Sequence, residues 1–253
     1  MSDKPLALPE GFYLRHYASV GSTNDAAKTL ARAGAPDMTL VWADEQTAGR
    51  GRRGRFWLSP PGNLYLSLVL RPECPAPRAA QLGFVAALGL GDALTPLVGP
   101  ALQLRYKWPN DLLADGRKLA GILLESETRA SDRVDFVVMG IGVNIVAAPG
   151  NVEFPATSLT AQGVAGVTPE AVLEGFTRHF ADWARRWRDE GFAPVRAAWL
   201  MAASGLGEAI RVRLDRGTLF GRFRDLDADG ALVLDAAEGS RRIAAGDVFP
   251  VLG

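Results

Sequence analysis

The chain has 253 residues, 48% apolar and 22% charged, the balance of an ordinary globular protein long enough for one large domain or two unequal ones. Lysine and arginine together number 28, as do aspartate and glutamate, so the net charge is zero, which argues against a broad cationic field and non-specific nucleic-acid binding. The single cysteine, Cys74, rules out an intrachain disulfide and a zinc site of paired thiolates, and two histidines, His16 and His179, leave little for a histidine-rich metal site.

The start, MSDKPLALPEGF, carries an early aspartate, two prolines and no apolar core of a signal peptide, so a cytoplasmic setting is expected. Ser22 to Asp25 fits the Ser-x-x-Asp capping pattern of a helix start. Ala27, Leu30 and Ala31 then share one helix face, and Gly34 is placed to end that helix. Thr39 to Asp44 reads as a strand, and Leu64, Leu66, Leu68 and Leu70 alternate as strand residues do. Residues 78–95 read as a helix despite Gly83, Gly89 and Gly91. Short β-prone segments follow at 102–106, 118–125 and 134–145. The most apolar run, Phe136 to Val143, is of strand length, and no stretch is expected to span a membrane. Glu170 to Glu190 is a helix with Val172, Phe176, Phe180, Trp183 and Trp187 on one stripe; His179 lies on it and reads as structural. A shorter helix covers 194–202.

The texture changes at Gly205-Leu206-Gly207. From Ala209 onward come AIRVRL, TLFGRF, ALVL and RRIAA, with Asp229-Gly230 as a turn between two of them. This is the pattern of a five-strand barrel or curled sheet of about 45 residues, too small to be stable alone and so expected to dock on the larger unit. The division expected is 1–204 and 205–253.

Four segments carry chemistry. Gly49 to Arg55 reads GRGRRGR: four arginines and three glycines, with no acid and no large apolar group. Alone it should stay mobile, because like charges repel and glycine is costly to order. A polyanion reverses that, since guanidinium groups make charge-assisted bonds to phosphate and glycines let the backbone approach its oxygens. A solvated Arg-Gly loop or an RNA-binding patch is the plainer reading, but the loop sits between two strands, behind Asp44 and Glu45 and ahead of Phe56-Trp57. The second segment, Lys107-Trp108-Pro109-Asn110-Asp111, is a tight connection between strands. It is either a plain turn or a loop mouth at which Asp111 holds a divalent cation beside phosphates. Third, Lys118 stands at the entrance of a buried strand, as a solvated gatekeeper or as a charge that stabilises a phosphoryl group under attack. Fourth, Gly140-Ile141-Gly142-Val143-Asn144 marks a bulge, or lets a ligand approach the backbone while Asn144 pairs with a base edge. There is no Walker A pattern, no Gly-x-Gly-x-x-Gly opening a helix, and no histidine base beside a serine or cysteine motif.

Taken in order, Ser22-Thr23-Asn24, Gln46-Thr47-Ala48 leading into GRGRRGR, KWPND at 107–111, RKLAGIL at 117–123, MGIGVN at 139–144 and Ala156-Thr157-Ser158-Leu159 resemble a bacterial biotin protein ligase. The resemblance implies an α+β fold: a mixed central β-sheet with helices on one side, of the class II tRNA-synthetase-like type, plus a C-terminal SH3-like barrel. It implies a two-step reaction, in which ATP activates biotin to biotinyl-5′-AMP and a lysine of a biotin carboxyl carrier protein then takes the biotinyl group. Carried over by position, Ser22, Thr23, Asn24, Gln46, Arg50, Gly51, Arg52, Lys118 and Gly121 would line the biotin pocket, with Gly121 beneath the ligand. Arg50, Arg52, Arg55, Trp57, Asn110, Asp111, Lys118 and Asn144 would serve the nucleotide, Asp111 through Mg²⁺. Lys118 and Arg52 would carry the catalysis. Members that double as repressors have an N-terminal winged helix, for which the stretch before Ser22 is too short, so DNA binding is not expected. A monomer or a homodimer fits equally. Two rivals stand beside this reading: a lipoate or octanoate ligase or transferase, whose transferases use a cysteine where Cys74 sits in an inert Pro-flanked loop, and a nucleic-acid-binding module built on the arginine loop.

Overall fold

A computed structural model describes residues 6–128 and 133–251. Seven strands form one sheet: β1 (Tyr13–Val20), β2 (Thr39–Gln46), β3 (Leu64–Leu70), β4 (Leu104–Lys107), β5 (Asp111–Ala114), β6 (Arg117–Thr128) and β7 (Val134–Val143), in the order β1-β2-β3-β7-β6-β5-β4. Only β1 and β2 run parallel; every other neighbour is antiparallel, so the sheet is mixed as expected. β1 has no counterpart in the sequence reading. It is an edge strand with mostly exposed side chains, so it lacks the in-out alternation that marks a half-buried strand. β5 was likewise hidden, read as the far side of a turn; Asp111 is its first residue, not a loop mouth.

The central strands are covered on both faces, and each face has its own residue set. Leu40 and Trp42 of β2, the four alternating leucines of β3, and Val137, Met139, Ile141 and Val143 of β7 turn one way, into the main core. There they meet α2 (Ala76–Ala80), α3 (Leu82–Val98), α4 (Pro169–Glu190) and α5 (Phe192–Met201). Val41, Val69, Phe136 and Val138 turn the other way and pack with Ala27 and Ala31 of α1 (Thr23–Arg32). Helices therefore lie on both sides, not one. The reason is visible in the strands: burial of both faces makes them apolar throughout, the signature of a sandwiched strand.

The glycines of α3 are contact points. A Cβ on Gly89 would come within 2.9 Å of the Phe180 backbone, so α3 and α4 approach too closely there for any side chain. The stretch Ala76–Val98 is, by length and composition, long and apolar enough to cross a membrane, which the sequence reading had excluded; 78% of its most apolar window is buried in this core.

The capping pattern at α1 is not used as a cap. Ser22 makes no side-chain cap hydrogen bond, and the Asp25 carboxylate is paired with Arg50. The C-terminal part forms β8 (Ala209–Arg213), β9 (Thr218–Leu226), β10 (Leu232–Ala236), β11 (Gly239–Ile243) and β12 (Asp247–Pro250), one antiparallel sheet in the order β11-β10-β9-β8-β12. It docks on the larger unit. Trp108 Nε1 donates to the Gly230 carbonyl at 3.0 Å, and Arg196 of α5 donates to Leu226 O at 2.6 Å and pairs with Asp225.

Candidate active site

On the α1 side of the sheet the apolar layer stops partway along the strands. Register places Ser67, Gly140 and Leu123 side by side across β3, β7 and β6, and Tyr65, Gly142, Gly121 and Asp111 side by side one step further along. The glycines leave a trough where Phe136 and Val138, on the same face of β7, fill the space with side chains. The first turn of α1 forms one wall, the 49–57 loop the roof, the 149–156 segment the back, and Asp247 and Phe249 of β12 close the far end. The cavity, partly open to solvent, measures about 250 Å³.

Every residue carried over in the sequence reading lines this one cavity: Ser22, Thr23, Asn24, Gln46, Arg50, Gly51, Arg52, Arg55, Trp57, Asn110, Asp111, Lys118, Gly121 and Asn144. Their detailed placement departs from expectation in several ways. Trp57, not open space, lies over the floor: its indole would clash with a Cβ on Gly142 and sits 3.1 Å from one on Gly121. The glycines thus receive this ring, and Gly140 receives the Asn24 amide. Lys118 Nζ stands 5.2 Å from the centre of the Trp57 ring, whose buried Nε1 has no hydrogen-bond partner. Asn144 is a staple of the fold; its Nδ2 donates one N–H to Thr157 O at 3.0 Å, which leaves the second N–H and the amide oxygen for a ligand. Asn110 is engaged at both ends, donating to Ile122 O at 2.7 Å and accepting from Arg52 at 3.2 Å.

The arginine loop is held without a polyanion, because carboxylates from four other segments take that part. Arg50 grips Asp25 with two hydrogen bonds, at 2.5 and 2.6 Å, and reaches Glu125 at 3.2 Å. Asp25 keeps the Arg50 guanidinium above its ordinary pKa, against the opposing effect of burial. Arg53 pairs with Asp215 at 2.6 Å, and Arg55 with Asp247 at 2.5 Å. Asp247 also faces Arg52, Arg53 and Arg213 at 3.7, 3.3 and 3.2 Å. Burial would raise the Asp247 pKa, but Arg213 and the loop arginines outweigh it and hold the carboxyl below its usual range. For Arg52 burial wins and lowers the guanidinium, even with Asp247 and Asp111 nearby.

Asp111 is buried between two ammonium groups, Lys118 Nζ at 2.6 Å from Oδ1 and Lys107 Nζ at 3.1 Å from Oδ2. Burial pushes its carboxyl up, and the two lysines together bring it below the ordinary value. Lys107, almost wholly buried, is destabilised as an ammonium by that burial despite Asp111. This arrangement does not fit the expected Mg²⁺ ligand: both oxygens face ammonium groups, Oδ1 without hydrogen-bond geometry, and a divalent ion would add charge where positive charge is already in surplus. No group of three or more His, Cys, Asp or Glu side chains able to hold a metal occurs among the described residues.

Sequence reasoning missed Lys107, Glu125, Ser67 and Asp247. Lys107 stood inside the KWPND motif; a lysine before a tight connection could have been noticed. Nothing local distinguishes Asp247, since its partners are far away in sequence. Cys74 is buried and its thiol pKa is raised by that burial; it does not line the cavity.

At the Ser22–Asn24 end the cavity offers hydroxyls and amides, and at the Lys118 end cations: a neutral polar group and an anion are accommodated in one ligand. The comparisons with known proteins agree. Residues 54–201 match the biotin/lipoate A/B protein ligase family, and residues 205–249 match the biotin protein ligase C-terminal domain. The chain is 47% identical to a biotin–[acetyl-CoA-carboxylase] ligase of Paracoccus denitrificans over 92% of its own length and 98% of the relative's. Its fold is similar to that of a biotin protein ligase from Aquifex aeolicus in complex with biotin and ATP, with a TM-score of 0.81 and 27% identity over 94% of this chain and 97% of the other. It also resembles a biotin protein ligase from Leishmania major in complex with biotinyl-5-AMP, with a TM-score of 0.63 and 26% identity over 94% of this chain and 100% of the other. A glycine-floored trough, a polar end, a cationic end and an arginine roof thus coincide with the relatives' identity: the chain belongs to the biotin protein ligase family.

Proposed function

We propose that the cavity activates biotin with ATP and passes the biotinyl group to a lysine of a carrier domain in a biotin-dependent carboxylase. The observation that carries the reading is the run from a hydroxyl- and amide-lined end to a cationic end within one cavity. Ser22, Thr23, Asn24 and Gln46 take the ureido ring, and Lys118 and Arg52 meet the carboxylate and α-phosphate.

In the first step a biotin carboxylate oxygen attacks the α-phosphorus, the bond to the bridging oxygen breaks, and pyrophosphate leaves with that electron pair. The step needs positioning and charge stabilisation more than a protein nucleophile. Lys118 supplies a fixed ammonium, oriented by Asp111, which is itself steadied by Lys107. In the second step the neutral carrier amine attacks the acyl carbon, AMP leaves with the bridging oxygen and its electron pair, and the amine's proton passes to solvent water. The roof of Arg50 to Trp57 keeps water from the mixed anhydride until then. Mg²⁺ brought with ATP would neutralise phosphate charge, and Asp111, set between Lys118 and Lys107, would not hold it. We divide the work between a catalytic unit, 1–204, and a small unit, 205–253, that lends Asp247 and Phe249 to the nucleotide end, and we place the reaction in the cytoplasm, where ATP is supplied.

The test is exchange of labelled pyrophosphate into ATP. Biotin should stimulate it and lipoate should not; stimulation by lipoate alone would move the substrate assignment to the rival ligase. The nucleic-acid reading has little support, because each loop arginine has a carboxylate partner.

A further inference from the structure

Glu125 lies on β6 outside the cavity, yet it is the meeting point of three elements. It accepts from Asn24 Nδ2 at 2.7 Å, from Lys28 Nζ at 2.5 Å and from Arg50 Nη2 at 3.2 Å. We infer that Glu125 is a specificity-determining positioning residue, which fixes the donor and acceptor pattern of the biotin end through Asn24. The inference rests on the ligase reading above.

The argument is one of proton counting. A carboxylate only accepts, so the Asn24 amide must present its nitrogen to Glu125 and its oxygen to the other side. There the oxygen meets Ser67 Oγ at 2.6 Å, and a carbonyl oxygen only accepts, so the single Ser67 proton is committed to it. Ser67 Oγ then faces Thr23 Oγ1, 2.8 Å away, as an acceptor. The Thr23 proton has two places to go, Ser67 Oγ or Gln46 Oε1 at 3.0 Å, and both are protein acceptors. Thr23 Oγ1 therefore turns a lone pair to the cavity and suits a ligand that brings an N–H. A ureido ring has such groups; a dithiolane ring has none. With the amide reversed, Ser67 would donate to Thr23 Oγ1 and occupy a lone pair there, the Thr23 proton would keep Gln46 Oε1 as its protein acceptor, and the acceptor offered to a ligand N–H would be weakened. Burial works against the charge on Glu125, but Lys28, Asn24 and Arg50 outweigh it and hold the carboxyl below its usual range.

The experiment is calorimetry of biotin binding to the full chain, for wild type, E125Q, T23A and the double variant. E125Q keeps the shape and removes the obligatory acceptor. It should raise the biotin Kd by about tenfold or more in the wild-type background, as loss of a charge-assisted contact does. In the T23A background, where the oriented lone pair is already gone, the same change should cost less than about twofold. Equal losses in both backgrounds, or no loss in either, would overturn the inference, since a merely structural role does not depend on Thr23. E125D retains the charge on a shorter stem and serves where E125Q fails to fold. Its biotin Kd should stay within about threefold of wild type, and a tenfold rise would overturn the inference. Wild-type protein that bound no biotin would instead sink the ligase reading itself, and this inference with it.

Discussion

The two faces of the seven-stranded sheet are built from the same strands and do opposite work. Toward α3 and α4 the strands present Leu64, Leu66, Leu68, Met139 and Ile141, all buried, in a continuous apolar layer. Toward α1 the layer gives out after Val41, Val69, Phe136 and Val138, and the next positions along β7 are glycines. The first face gives up nothing to function, so every position can serve packing. The second forgoes burial to make a trough and fills it with an indole, an amide and three paired charges whose value lies in orientation. Stability should therefore reside on one face and activity on the other.

Substitutions on opposite faces break or sharpen that contrast. Leu66→Ala on the core face should cost about 2–5 kcal/mol of folding free energy in denaturant titration, while pyrophosphate exchange per folded molecule stays at the wild-type level. Lys118→Ala on the trough face should do the reverse, lowering adenylate formation by about 10²–10³ in single-turnover assays with a small change in stability. Gly142→Val, also in the trough, drives a side chain into the place of Trp57. Displaced groups of this kind cost about a hundredfold in rate, and the loss should appear with near-native circular dichroism. The smallest effect is expected at Asp247, which touches the roof but not the floor. Asp247→Asn should raise tryptic cleavage within 50–55 of the ligand-free protein by about tenfold, through the loss of charge-assisted bonds. The pH dependence follows the same group. Its carboxyl is lower in the folded protein than in the unfolded chain, so the stabilisation is complete at neutral pH and is lost as pH falls through the depressed folded value, below about pH 4. Loop cleavage by an acid-active protease should rise in that window in wild type and rise less in Asp247→Asn, where Asp25 and Glu125 are left to titrate.

Much of the machinery was legible along the chain. GRGRRGR, KWPND and Lys118 announce chemistry because their compositions are poor choices for packing, and the long helix over 169–190 declares itself through its stripe. What stayed hidden depended on partners distant in sequence. The loop was expected to be unheld because its own seven residues contain no acid; the acids are Asp25, Glu125, Asp215 and Asp247. Asp111 was read either as part of a plain turn or as a holder of Mg²⁺ beside phosphates; its two oxygens instead face Lys107 and, on β6, Lys118.

By itself, the sequence determined the kind of chemistry and the sorting of residues between helix, strand and loop, since composition and periodicity act over a few neighbouring residues. Only the tertiary structure decided which charges neutralise one another, which glycine receives a ring, and which way the Asn24 amide faces. Those outcomes depend on distances of a few ångströms between segments as far apart as Arg52 and Asp247, and no local pattern encodes such distances.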